Sequence, residues 1–245
     1  MKPQQDLYII TGGSKGLGKA LVERALAQNH FVVSISRTQN KEIKNSNLIQ
    51  LQQDLSKPFV TIEKKLNAFF KKIEFKKYRN IYFVNNAAQI EPVAEIGNLN
   101  SADVERHVHL NYAMPVLLTN WFMTKKMTNS GMTVFVQISS GASSFAITNW
   151  SIYCSSKAAI EMFNSVMQIQ IAKSKKIKAF TYSPGIMDTG MQSVIRSFKK
   201  SDFPEVSRFK GYKKSNELRS PESVAEHLMS LMSEPRKLTE KSYSI

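Results

Sequence analysis

A single cysteine, Cys154, stands in the 245 residues, so no internal disulfide can staple the chain, and a reducing cytoplasm is the expected compartment. No stretch approaches eighteen uninterrupted apolar residues, which argues against a membrane-spanning helix. Met1-Lys2-Pro3 leads straight into a short apolar run, without the longer hydrophobic stretch and small-residue cleavage site of a secretion signal. Acidic residues are scarce, 19 Asp and Glu against 34 Lys and Arg, giving a net charge of +15. The lysines come as scattered pairs such as Lys64-Lys65, Lys125-Lys126 and Lys213-Lys214, with no zinc or helix-turn-helix pattern beside them. The excess therefore reads as solvated surface, and no nucleic-acid partner is expected. The four histidines, His30, His107, His109 and His227, show no ligand spacing with Cys, Asp or Glu, so no metal is expected. His107 and His109 lie two apart on a predicted helix and should point to different sides. Glycine, proline and serine nowhere thicken into a linker. Residues 1–245 read as one domain.

What the chain does have is alternation. Short β-branched or aromatic runs at 7–10, 31–35, 48–51, 81–84, 133–138 and 177–182 read as buried parallel strands. Helical patterns at 18–29, 58–75, 101–126, 152–173 and 221–233 lie between or after them, the last behind a Ser220 cap and Pro221. Strands alternating with helices predict an α/β fold, a doubly wound parallel sheet of Rossmann type with helices on both faces. Ligands bind at the carboxyl ends of the strands in such a sheet, so the loops after the apolar runs are where chemistry is expected.

The first such loop is Thr11-Gly12-Gly13-Ser14-Lys15-Gly16-Leu17-Gly18. Gly12 allows a tight turn, Gly16 lets the backbone approach a pyrophosphate, and Gly18 lets the helix pack against the strand. Free N–H groups at the helix start favour an anion there. This turn predicts a dinucleotide cofactor held by Gly12, Ser14, Lys15, Gly16, Leu17 and Gly18. The second strand ends at Ser36-Arg37, where an NAD enzyme usually carries a carboxylate for the ribose diol. Arg37 and Lys15 instead suit a 2′-phosphate, which predicts NADP(H), although an exposed arginine at a strand end is also common. After the third strand, Asp54-Leu55 reads either as a contact to the adenine edge or as the cap of a turn.

Tyr153 and Lys157, four apart on a helix, share a face. An ammonium beside a phenol should pull the phenol's pKa down toward neutrality. Ser140 follows the fifth apolar run at the carboxyl end of its strand. Together with the glycine loop, Asn85-Asn86-Ala87-Ala88, Asn111 and Pro184-Gly185, these residues resemble the short-chain dehydrogenase/reductase family, in order over nearly the whole chain. The resemblance implies a seven-stranded sheet and a tetrad of Asn111, Ser140, Tyr153 and Lys157. On that pattern Tyr153 donates a proton to a carbonyl, Ser140 binds its oxygen, Lys157 also holds the nicotinamide ribose, and Asn111 holds a water leading to Lys157. Asn86, Ala87 and Ala88 would lie by the adenine ribose, Pro184, Gly185 and Ile186 by the nicotinamide, and Thr189 by the pyrophosphate. Ala88 departs from the family's usual glycine.

Trp150-x-x-Tyr153-Cys154-x-x-Lys157-Ala158-Ala159 and Pro184-Gly185-Ile186-Met187-Asp188-Thr189-Gly190-Met191-Gln192 are similar to the branch holding sepiapterin reductases and bacterial benzil reductases. The substrate is thus expected to be a small aromatic or diketone-like carbonyl compound, or the matching alcohol, lying against Gly141, Trp150, Met187 and Met191. Residues 188–219, basic and dotted with Phe198, Phe203, Phe209 and Tyr212, read as an exposed substrate lid. A non-catalytic NADP(H)-binding redox sensor is the alternative, and it would need none of the four tetrad residues. The resemblance also implies a homo-oligomer, a dimer or tetramer.

Overall fold

Every residue of the strands β1 (Leu7–Thr11), β4 (Ile81–Asn85) and β5 (Thr133–Ile138) is buried. That is the mark of a sheet covered on both faces, and it explains why their sequences are apolar runs rather than alternations. The structure, a computed structural model, describes residues 5–125 and 131–245. The remaining strands are β2 (Phe31–Ser36), β3 (Leu48–Gln52), β6 (Ile177–Ser183) and β7 (Ser242–Ser244). All seven run parallel in the order β3-β2-β1-β4-β5-β6-β7. The order reverses between β1 and β4, so a crevice opens at their carboxyl ends.

Alternation along each strand sorts its side chains into two layers. Tyr8, Ile10, Tyr82, Val84, Val134 and Val136 pack under helices α1 (Gly16–Ala27) and α8 (Pro221–Ser233). Their neighbours Leu7, Ile9, Phe83 and Phe135 face the other way. They meet α2 (Phe59–Phe70), α4 (Met114–Met123) and α5 (Ser151–Ile171). Burying each such side chain contributes about 1.5–3 kcal/mol, so these two layers dominate the stability. The Ser220 hydroxyl caps α8 by accepting from Ser223 N at 3.1 Å, with Pro221 in the first turn as expected.

The helix expected over 101–126 is interrupted. It runs as α3 (Ser101–Val108), a π-helical turn at His109–Ala113 and then α4, while its expected last residue, Lys126, lies outside the described residues. Two helices were not anticipated: α6 (Gly190–Ser197) and α7 (Val206–Lys214), both within the segment read as an exposed lid. β7 is the seventh strand that only the family resemblance implied. Its three residues pair with β6 at the sheet edge.

Candidate active site

At the end of β1 the chain turns through Gly12, at φ +70°. α1 starts at Gly16, and no side chain caps its first turn, which leaves N–H groups for an anion. A Cβ on Gly18 would stand 2.2 Å from the Gly12 carbonyl oxygen, so only glycine lets the helix close on this turn. A Cβ on Gly16 would come within 3.5 Å of Thr189 Cγ2, which places the loop after β6 over the glycine loop. The Thr11 hydroxyl accepts from Asn86 N at 2.9 Å and Ala87 N at 3.0 Å, and Asn86 Nδ2 donates to the Thr11 carbonyl at 2.9 Å. The Asn86 amide therefore joins the two loops. Leu17 and Leu55 are likewise buried in the two core layers and present only backbone to a ligand.

Arg37 is exposed just past β2, and Lys15 is exposed in the glycine loop. Thr38 Oγ1 donates to Ser14 Oγ at 3.4 Å and Asn40 Nδ2 to the Ser14 carbonyl at 3.3 Å, tying the two cationic loops together. Asp54 adopts the turn-capping reading: its Oδ1 accepts from Ser56 N at 2.9 Å and Ser56 Oγ at 2.8 Å. Partial burial pushes the Asp54 carboxyl up, but these bonds, followed by the charges of Arg37 and Lys57, outweigh it and hold the pKa low. The glycine cradle and the uncapped helix start fit the pyrophosphate of a dinucleotide.

Ser139 and Ser140 follow β5. The Ser139 hydroxyl is buried without a partner, whereas the Ser140 hydroxyl bonds to Tyr153 and accepts from Ala142 N at 3.2 Å. Tyr153 lies in the first turn of α5 and is 7% exposed. Burial pushes its pKa up to about 12, against the lowering effect of the Ser140 hydrogen bond. Lys157, one turn on, is equally buried, and its Nζ donates to the Ile138 carbonyl at 2.8 Å. Desolvation pulls Lys157 down to about 8, opposed by the Glu161 carboxylate. The expected pull toward neutrality is therefore not found: burial outweighs the Ser140 hydrogen bond, and Lys157 contributes no lowering, its Nζ sitting 5.7 Å from the ring centroid and bonding elsewhere.

Asn111 occupies the π turn, and its side chain bonds to the Gln89 backbone in both directions, at 2.8 and 2.9 Å. Behind it stands His107, fully buried, a residue the sequence reading set aside with the other histidines. The expected divergence of the two histidines is observed, since His109 reaches outward to the Lys57 carbonyl at 2.8 Å. The four-residue spacing of His107 and Asn111 on one helix face was the available signal. Arg219 was also missed: it clamps the loop after β6, its N donating to the Ile186 carbonyl and its carbonyl accepting from Asp188 N.

On the substrate side, Ile90, Ala142, Trp150 and Tyr153 form one cluster with Ile195, Phe203, Val206 and Phe209, and Met191 packs against it. Phe203 stacks on Trp150 at 5.3 Å and 12°, and Tyr153 meets Trp150 edge-on at 5.5 Å. The segment 188–219 is therefore not the exposed loop expected: Phe203 and Phe209 bury on Trp150, and Phe198 and Tyr212 pack partly buried against the same cluster. Gly141 opens a 3-10 turn beside this cluster, with only Phe145 nearby, at 4.0 Å from a would-be Cβ. Met187, partly buried, packs against the layer under α1 and α8.

A family model described as short chain dehydrogenase matches residues 7–200. The chain is 37% identical over 228 residues to a benzil reductase ((S)-benzoin forming) of Bacillus subtilis, covering 93% of each chain. It is 33% identical to the Bacillus cereus protein of the same name, covering 91% of this chain and 92% of the other. Among solved structures, the KRED1-Pglu enzyme superposes with a TM-score of 0.83 at 26% identity, over 98% of this chain and all of that one, 100%. With its glycine loop, its seven-stranded sheet and its Ser140–Tyr153 pair in place, the chain belongs to the short-chain dehydrogenase/reductase family, oxidoreductases that use nicotinamide cofactors.

Proposed function

We propose that this protein is an NADPH-dependent carbonyl reductase for flat, apolar diketones of the benzil type. The observation that carries the reading is the Tyr153 hydroxyl, bonded to Ser140 and walled by Trp150, Ile90 and Ala142. The side chains of that wall are apolar, which suits an aromatic diketone better than the guanidine-like edge of a pterin, and the similarity to two benzil reductases points the same way.

The bound nicotinamide supplies the hydride that reduces the carbonyl carbon. Tyr153, protonated at neutral pH because its pKa lies near 12, gives its hydroxyl proton to the carbonyl oxygen, completing the alcohol. The Ser140 hydroxyl donates to that oxygen as negative charge grows on it. Lys157, still largely an ammonium at pH 7, holds the nicotinamide ribose hydroxyls. Asn111 has its side chain engaged with Gln89 and His107, so a water leading to Lys157 would rest on its main-chain carbonyl in the π turn. Lys15 and Arg37 would take the 2′-phosphate. Met162, Val166 and Ile169, apolar and exposed along one side of α5, support a homo-oligomer joined through that helix, and one unpaired cysteine fits a reducing cytoplasm.

The test is NADPH and NADH oxidation with benzil and sepiapterin as carbonyl substrates. Benzil should be the better substrate, and NADPH the better cofactor. Arg37→Asp should erode that cofactor preference by about 1.5–3 kcal/mol, the worth of a charge-assisted contact. Equal use of both cofactors by the wild type, or sepiapterin turnover well above that of benzil, would refute the corresponding half of the proposal.

A further inference from the structure

We propose that His107 is a positioning residue, a neutral imidazole that fixes the amide of Asn111 and backs the ring of Tyr153. The assay below rests on the carbonyl-reductase reading; the geometry does not.

The imidazole is fully buried, with Nδ1 2.6 Å from the Glu91 carbonyl oxygen. A carbonyl can only accept, so Nδ1 carries the proton. In the neutral ring Nε2 then offers a lone pair, and Asn111 Nδ2 lies 2.9 Å from it. The second Nδ2 hydrogen goes to the Gln89 carbonyl at 2.8 Å, while Asn111 Oδ1 accepts from Gln89 N at 2.9 Å. Turning the amide over would set its oxygen against two acceptors and its NH2 against a donor. His107 thus supplies the one acceptor that a side chain contributes to this arrangement. The Ser156 hydroxyl, 3.2 Å from Nε2, donates to the Tyr153 carbonyl at 2.8 Å and so leaves the lone pair to Asn111.

The same ring stands edge-on to Tyr153, centroids 6.1 Å apart at 84°. One side chain therefore touches the π turn, the loop from Gln89 to Glu91 that leads Ile90 to the pocket wall, and the phenol. The groups facing it are Lys157 and Tyr153 from α5, Asn111 on its own helix and the Glu91 carbonyl. Protonation would put Nε2–H against Asn111 Nδ2–H, donor against donor. Burial, opposed by the Glu91 bond and joined by the Lys157 charge, lowers the His107 pKa and keeps the ring neutral.

His107→Leu removes the acceptor; His107→Gln can replace both polar contacts, Oε1 accepting from Asn111 and Nε2 donating to Glu91. The leucine variant should lose at least about tenfold in kcat for benzil while its KM for NADPH stays within about threefold, as when reacting groups are misplaced rather than binding lost. The glutamine variant should return to within about threefold of wild-type kcat. Wild-type kcat per folded molecule in the leucine variant, with only a lower Tm, overturns the proposal. So does an equal kcat loss in both variants. NMR of the wild type with nitrogen-labelled histidine decides the geometry without any turnover, even where the leucine variant does not fold. A neutral ring protonated at Nδ1 from about pH 6 to 8 is expected, and an imidazolium or an Nε2–H ring refutes it.

Discussion

The two ends of the sheet handle their buried polar groups in opposite ways. At the amino end, Asp6 is 2% exposed, and both carboxylate oxygens accept from Arg79, at 3.0 and 2.8 Å; Oδ1 also takes Asn80 N at 2.9 Å. Asn80 Oδ1 in turn accepts from Met132 N at 2.9 Å, binding β1, β4 and the approach to β5 together. At the carboxyl end the pattern opens. Among the described residues, buried polar atoms without a partner include Ser139 Oγ after β5, Trp150 Nε1 and Ser151 Oγ at the start of α5, and Gln192 Oε1 and Arg196 Nη1 on α6. Each such group costs free energy in the chain as it stands. Several of these open groups thus stand beside the site, while others, Asn164 Oδ1 and Gln168 Oε1, lie along α5 away from it.

Three substitutions should separate the ends. The largest effect is expected for Tyr153→Phe, which removes the proton donor and keeps the ring: kcat should fall at least about a hundredfold, with Tm and cofactor affinity nearly unchanged. Retention of most activity would show that the proton comes from elsewhere. Trp150→Ala should damage both properties, because Trp150 joins α5 to Phe203 and Phe209 and also edges Tyr153. Its stability loss should be about 3–5 kcal/mol by urea unfolding, as for large-to-small changes in a core. Turnover of aromatic diketones should suffer more than that of a short aliphatic one. Asp6→Ala is the control at the far end: it should cost about 2–3 kcal/mol, since it leaves Asn80 N–H unpaired and removes the carboxylate that Arg79 donates to. Its kcat per folded molecule should equal the wild type's. A catalytic defect in this variant would mean that the ends are coupled through the sheet.

The sequence was most legible where one physical rule acted alone. β1, β4 and β5 follow most plainly from apolar runs because helices cover them on both faces, whereas β3, at the sheet edge, is only partly buried and carries Gln50 and Gln52. The glycine turn was readable because few residues besides glycine tolerate φ +70° at position 12 or a carbonyl 2.2 Å from a would-be Cβ at position 18. β7 escaped detection because Ser242, Tyr243 and Ser244 carry no apolar run, and its pairing comes from β6. α6 and α7 escaped because each is only two turns long, α7 carries Gly211 and several lysines, and their burial depends on Trp150, far away in sequence. The tetrad positions were read from spacing, but their electrostatics were not. That Lys157 bonds to Ile138, leaving Ser140 to act on Tyr153, depends on rotamers and burial that spacing does not encode.

The smallest effect should be the most telling about Lys157. Burial lowers its pKa from 10.5 to about 8, so between those values the unfolded chain binds the proton and the folded chain does not. Stability contributed by this residue must therefore rise with pH from about 8 to 10.5, since the unfolded state binds more protons there. Its proposed task requires the ammonium, so NADPH affinity should fall over the same range, approaching about tenfold per pH unit above the folded pKa. The two trends have opposite signs, which no general alkaline loosening of the fold would produce. Tyr153, raised from 10.0 to about 12 on folding, opposes the stability trend from about pH 10 upward, as does Tyr182, so the two trends are compared below that pH. Lys157→Met should remove both trends. Glu161→Gln should move them to lower pH, because the Glu161 carboxylate is what holds the Lys157 pKa up against burial. An unmoved midpoint in the Glu161→Gln enzyme would show that the carboxylate, already accepting from the Thr181 hydroxyl at 2.7 Å, does not reach the lysine.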